Sequence, residues 1–302
     1  MKRTSPHGLP RLVAIFAVLV AWGWSGPGAA DQTEQTVTFR SADQDLTGGN
    51  PTMLTGVLMR PEGNGPFPAI VLLHSCYGLR ESDGSEVKRF YFWARYLRDQ
   101  GFVTLLVDSY GPRGLQRLCP LPERDRPIKT DRERVRDAYG ALLYIQSRKD
   151  VLARSVGVMG WSNGGQAAIW TIGDSHSGRP ASLPEGDFRA ALALYPGGCQ
   201  QALRAKWKTN IPFLMLIGEA DDWTGAKPCV DLTSSAKATG APVEITLYPG
   251  AHHAFDEPDM PIQVVKDVVL PDGHSPTVGT HPQARAAAIE RVRSYFKDRL
   301  AQ

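Results

Sequence analysis

Val156-Gly157-Val158-Met159-Gly160-Trp161-Ser162-Asn163-Gly164-Gly165-Gln166-Ala167-Ala168-Ile169-Trp170 decides how this chain folds. An apolar start, a serine flanked by glycines and an alanine-rich continuation read as strand, sharp turn and helix. The serine at the tip of such a turn must adopt a strained conformation, and glycines at 160 and 164 leave room where the two limbs cross. With 30 glycines in 302 residues, a Gly-x-Ser-x-Gly alone is weak evidence. A strand before it and a helix after it make it specific. Unpaired N–H groups at the start of that helix also favour negative charge developing beside Ser162.

The same rhythm extends outward in both directions. Residues 69–73, 103–107, 156–159, 190–194 and 213–217 are continuous apolar runs without polar alternation, the pattern of strands buried on both faces of a parallel sheet. Helical periodicity marks residues 86–98, 131–148, 164–172 and 282–300, the last with Ile289, Val292, Phe296 and Leu300 on one stripe. Ahead of these units, residues 35–40 and 53–59 read as two shorter antiparallel edge strands. Strand alternating with helix predicts an α/β fold, a mostly parallel doubly wound sheet with N-terminal antiparallel edge strands, in one domain over residues 31–302, and the glycine-flanked serine turn makes it resemble the α/β-hydrolase fold. Residues 111–129, 173–186 and 256–281 lack a clear period. The first and last follow strand ends, where open parallel sheets bind ligands, and are candidate walls of a substrate site.

Lys2, Arg3 and Arg11, an apolar run over residues 12–24 and small residues up to Ala30 have the order of a secretory signal, with cleavage expected after Ala30. The competing reading is a membrane anchor, but the run falls short of the roughly 20 residues that span a bilayer. Those three cations account for the whole net charge of +3, so residues 31–302 carry none, and nothing points to nucleic acid or an anionic membrane surface. Apolar residues make up 42% and charged residues 22%, which suits a globular chain with a large core. Four cysteines, Cys76, Cys119, Cys199 and Cys229, allow three pairings as two disulfides in an oxidising compartment. Their spacing matches no zinc pattern, and no metal or other cofactor is implied.

A serine hydroxyl is a poor nucleophile at neutral pH. It requires a histidine to take its proton and a carboxylate to hold that histidine in the right tautomer, and in this fold they follow in the order serine, acid, histidine. Residues 213–217 end in Gly218-Glu219-Ala220-Asp221-Asp222-Trp223, and Asp221 is chosen over Asp222 by its spacing to the glycine. The run 243–248 leads into Pro249-Gly250-Ala251-His252-His253-Ala254-Phe255, where His253 is chosen as the base and His252 as a flanking residue. The oxyanion of acyl transfer takes two donors: the N–H of Asn163, and an N–H of Cys76 or Tyr77 in the loop after residues 69–73.

These residues resemble the dienelactone hydrolase family. The resemblance runs along most of the chain beyond residue 30 through Val71-Leu72-Leu73-His74-Ser75-Cys76-Tyr77-Gly78-Leu79, Asp108-Ser109-Tyr110-Gly111-Pro112-Arg113-Gly114, Gly160-Trp161-Ser162-Asn163-Gly164, Gly218-Glu219-Ala220-Asp221 and Gly250-Ala251-His252-His253-Ala254-Phe255. The last motif is the most family-specific and supports His253. Members that open dienelactones carry Cys where this chain has Ser162, and hold the substrate carboxylate with two arginines. Arg113 stands near the first arginine position, whereas Asp256 and Glu257 occupy the second and would repel a carboxylate. Set on this fold, a Cys199–Cys229 bridge would staple the acid loop, and Cys76–Cys119 would form the second bridge.

The function expected is a serine hydrolase cleaving a small-molecule ester or lactone through an acyl-enzyme on Ser162, exported to the periplasm or secreted. Tyr110, Arg113, Trp161 and Trp223 are candidate substrate contacts, with core packing the competing reading for both tryptophans. The alternatives are an acyltransferase or peptidase using the same triad, or a non-catalytic binding protein on this fold.

Overall fold

Short apolar runs bounded by turns become strands, and the amphipathic segments between them become the helices that cover the sheet. The computed structural model describes residues 1–2, 34–174 and 178–300, so the expected secretory signal lies outside the described residues. The order is β1 (Glu34–Arg40), β2 (Met53–Met59), β3 (Phe67–Leu73), α1 (Lys88–Asp99), β4 (Val103–Asp108), α2 (Glu133–Gln146), β5 (Val151–Trp161), α3 (Asn163–Thr171), β6 (Ala190–Leu194), α4 (Cys199–Arg204), β7 (Phe213–Gly218), α5 (Ala226–Ala238), β8 (Val243–Tyr248), β9 (Gln263–Val264), β10 (Thr277–Val278) and α6 (Pro282–Leu300).

The first eight strands form one sheet in the order β1-β2-β4-β3-β5-β6-β7-β8. β1 pairs antiparallel with β2 and β2 antiparallel with β4, while the pairs from β4 through β8 are parallel. This is the doubly wound sheet with antiparallel N-terminal edge strands that the apolar runs predict. Every residue of β6 and β7 is buried, as helices on both faces require. Parallel register brings the C-terminal ends of β3, β5, β6, β7 and β8 to one edge, and the turns at that edge carry the candidate residues.

Two helices escape the sequence reading, α4 and α5. α5 turns only Cys229, Leu232, Thr233 and Ala236 inward, so its apolar stripe is narrow and half polar. β5 is longer than expected because residues before Val156 add pairing at its outer end, including Val151 beside Phe67.

Candidate active site

Ser162 leaves β5 and opens α3 with φ 52° and ψ −112°, a conformation that costs an L-residue energy. Two glycines make the turn possible. A Cβ at Gly160 would lie 2.2 Å from the carbonyl oxygen of Gly164, and one at Gly164 would lie 2.0 Å from that of Leu73. Tyr195, directly after β6, and Ala254, in the loop after β8, also have positive φ.

Ser162 Oγ lies 3.0 Å from His253 Nε2, and His253 Nδ1 lies 2.8 Å from Asp221 Oδ2. All three are buried, with exposures of 7%, 3% and 5% for Ser162, His253 and Asp221. Asp221 Oδ1 accepts the backbone N–H groups of Trp223 and Thr224 at 2.9 and 3.0 Å, and Oδ2 accepts the Thr224 hydroxyl at 3.0 Å. Burial raises the Asp221 carboxyl, but His253 and these donors outweigh it and leave the group below its usual range. An ionised Asp221 facing Nδ1 fixes the tautomer with its proton there, which leaves Nε2 free to accept the proton of Ser162.

The neighbours on which the sequence left a choice have other partners. Asp222 Oδ1 accepts the N–H of Thr277 at 2.8 Å and anchors β10. His252 Nδ1 donates to the carbonyl of Ala220 at 3.0 Å. Among the expected oxyanion donors, the N–H of Tyr77 is directed at Ser75 Oγ, 3.2 Å away. Cys76 and Asn163 line the same cavity as Ser162, and the N–H of Asn163, at the first position of α3, has no carbonyl one helical turn back to bond.

A model of the dienelactone hydrolase family matches residues 54–300. This chain belongs to that family. Over 205 residues it is 25% identical to a probable 2-oxo-3-(5-oxofuran-2-ylidene)propanoate lactonase of a Bradyrhizobium species, covering 66% of this chain and 78% of that protein. Its fold is similar to that of a dienelactone hydrolase from Anabaena variabilis, with TM-score 0.58 and 19% identity over 89% of this chain and 99% of the other. It is also similar to esterase 2 of Thermogutta terrifontis in a form phosphoramylated by tabun, with TM-score 0.57 and 16% identity over 89% and 96% of the two chains. The protein is accordingly a hydrolase acting on esters or lactones.

In this dienelactone hydrolase family member two cavities meet at Ser162. The larger, about 660 Å³, runs past Asn163 and Gln166 to Glu123, Arg126 and Leu270. The smaller, about 250 Å³, lies on the His253 side and is bounded by Tyr77, Val87, Met260 and Val278. Trp223 lines both, and its ring lies 4.9 Å from that of His253. Segments 111–129 and 256–281 supply walls, as their place after strand ends predicts. Among the described residues, segment 173–186 supplies none to either cavity. The Cys76–Cys119 disulfide ties the loop after β3 to one wall, and Cys199–Cys229 joins α4 to α5, both pairings as expected.

Three expected substrate contacts reach neither cavity. Arg113 is held by Asp137 at 2.8 and 2.9 Å and by Asp43 at 3.3 Å, because these buried carboxylates capture its guanidinium. Tyr110 is buried, and its hydroxyl donates to Asn163 Oδ1 at 3.1 Å. Trp161 is buried against Phe90 and Trp93, with Nε1 donating to Asp256 Oδ2 at 3.0 Å.

Sequence reasoning missed several contributors. Asp256 is fully buried and accepts from Trp93 Nε1 at 2.8 Å, from Trp161 and from the Tyr195 hydroxyl, so it ties the histidine loop to the strand that carries Ser162. Glu257 pairs with Arg89 of α1 at 2.9 Å, and both line the smaller cavity. Burial pushes the Glu257 carboxyl above its ordinary value against the pull of Arg89, and Asp256 adds to the rise. The pair of acids after the histidine was visible as a signal, but their partners lie far away in sequence. Among the described residues no three His, Cys, Asp or Glu side chains are gathered as metal ligands would be.

Proposed function

We propose that Ser162 is the nucleophile of a serine hydrolase that cleaves uncharged esters or lactones through an acyl-enzyme. The continuous chain from Ser162 through His253 to Asp221, at 3.0 and 2.8 Å on a strained glycine-flanked turn, carries this reading. Ser162 Oγ adds to the substrate carbonyl while its proton passes to His253 Nε2. The oxyanion accepts from the N–H groups of Asn163 and Cys76. Collapse expels the alkoxide, which takes the proton from His253, and water activated by the same histidine then releases the acid and restores Ser162.

The electrostatics of the smaller cavity favour an uncharged substrate. Among the described residues that line it, Arg89 is the one Lys or Arg and is neutralised by Glu257, while Glu81 on the wall and Asp256 behind it leave an excess of negative charge. A carboxylate placed there meets repulsion rather than a free arginine. Residues 1–30 are read as an export signal, and two disulfides suit an oxidising compartment, so the working location is periplasmic or secreted. Among the described residues no helix is long and apolar enough to cross a membrane.

The test is labelling by a fluorophosphonate probe, with turnover of short-chain aryl esters, in wild type and Ser162→Ala. Labelling that survives in Ser162→Ala overturns the assignment. His253→Ala is expected to be inactive and His252→Ala active, and the reverse result would transfer the role of base to His252.

A further inference from the structure

We propose that Arg134 is a positioning residue that sets the two halves of the oxyanion site against each other. It is the second residue of α2 and is 1% exposed. One guanidinium nitrogen, Nη1, donates to Asn163 Oδ1 at 2.7 Å, and the other, Nη2, donates to the carbonyl oxygen of His74 at 2.8 Å. Asn163 follows the nucleophile and carries one oxyanion donor. His74 opens the loop whose Cys76 carries the other. A single planar group therefore bridges the two segments whose separation decides whether both N–H groups reach one oxygen.

Its surroundings make a purely electrostatic staple an inadequate account. Among the described residues no carboxylate lies within ion-pair distance of Arg134, and Nε is buried without a partner. Asp137, one turn along the same helix, is committed to Arg113 and to the Ser41 hydroxyl. The guanidinium instead lies over the ring of Tyr110 at 5.4 Å, and the Tyr110 hydroxyl shares Asn163 Oδ1 with it. Burying an unpaired cation is expensive, and a fold selected for stability alone would place an apolar side chain here. What the cation obtains is a rigid two-pronged grip on Asn163 and His74, with positive charge close to where the oxyanion forms. His74 fits the same scheme: burial, with the charge of Arg134 added, holds its imidazole well below the usual value. It stays neutral, donating from Nδ1 to the carbonyl of Ser75 at 2.7 Å and accepting the N–H of Ser109 at Nε2.

Lysine preserves the charge but cannot reach two acceptors on separate segments in one plane. The inference rests on Ser162 as nucleophile, and the measurements separate the two. In Arg134→Lys, kcat for an aryl ester is expected to fall at least about tenfold with KM within about threefold, since an oxyanion donor acts in the transition state. Affinity for phenylboronic acid, which forms a tetrahedral adduct on a serine, should fall in parallel. Asn163→Ala should produce the same pattern, and the double variant should lose less than the product of the two single losses. Thermal melting checks folding; if Arg134→Met fails to fold, Arg134→Lys and Asn163→Ala carry the test. Fluorophosphonate labelling that depends on Ser162, together with unchanged kcat and boronate affinity in Arg134→Lys, would overturn the role of Arg134 and leave the nucleophile standing. Labelling independent of Ser162 would overturn both.

Discussion

Replacing Glu257 with Gln keeps the shape of the smaller cavity and removes the charge that neutralises Arg89. The two groups are 2.9 Å apart with side-chain exposures of 12% and 5%, so solvent screens them only weakly. At an effective dielectric constant of about 20, a unit charge about 5 Å from a bound carboxylate is worth about 3 kcal/mol. At about 1.4 kcal/mol per factor of ten, removing it favours an anionic substrate by up to about 100-fold. The assay is kcat/KM for matched aryl esters, neutral butanoate against hemisuccinate, with a second pair that carries the carboxylate on the alcohol side. Wild type should favour the neutral ester in the pair whose carboxylate enters the smaller cavity. Glu257→Gln should narrow the preference by about 10- to 100-fold for the pair whose carboxylate enters the smaller cavity. Adding Arg89→Met should remove that gain, because no cation then remains to receive the carboxylate. The wild-type preference should also weaken as pH falls and Glu257, its carboxyl raised by burial, takes up a proton. Preferences within threefold of wild type for both pairs in Glu257→Gln would refute the electrostatic account.

Asp256→Asn replaces an acceptor of three buried donors with a group that also donates, and should lower unfolding free energy by about 3 kcal/mol in urea titration; a loss under about 1 kcal/mol would show that the network contributes little. Gly164→Ala drives a methyl to 2.0 Å from the Leu73 carbonyl, and is expected to yield little soluble protein and no ester turnover, so a folded, active Gly164→Ala would contradict the elbow geometry. Cys199→Ser with Cys229→Ser opens a 30-residue span and should cost about 3 kcal/mol in chemical denaturation under oxidising conditions, with no matching loss when wild type is already reduced. Asp221 is held below its usual range in the folded state, so it contributes stability at neutral pH that is lost as pH falls through its folded value. Asp221→Asn should flatten the acid limb of the stability profile, and an unchanged limb would show that other carboxylates govern it.

The sequence disclosed the parts of this protein that local chemistry dictates. Ser162, Asp221 and His253 each sit just past an apolar run in a glycine-bearing turn, and the same steric demands that place glycines at 160, 164 and 218 mark the turns from which the side chains emerge. The sheet was readable because β3, β6 and β7 are apolar without alternation, whereas α5 was not, since Pro228, Ser234 and Ser235 interrupt its pattern and only four residues face inward. What failed was the direction of side chains one position away from a candidate residue of the triad. Trp161 adjoins Ser162 and Tyr110 follows β4, yet both are buried and line neither cavity, Trp161 bonded to Asp256 and Tyr110 to Asn163. Arg113 was misassigned for another reason: a cation goes to the deepest available carboxylates, and Asp43 and Asp137 lie in other segments of the chain. Arg134 and Arg89 were invisible on the same ground, since their partners Asn163, His74 and Glu257 become neighbours only once α1 and α2 have packed on the sheet. The candidate reacting groups are thus written in local turn chemistry, while the side chains packed around them are written in long-range packing. On the proposed reading, a homologue of this chain that keeps every glycine of the turns would change its substrate charge preference through positions such as Arg89 and Glu257, with the motif that identifies the fold left intact.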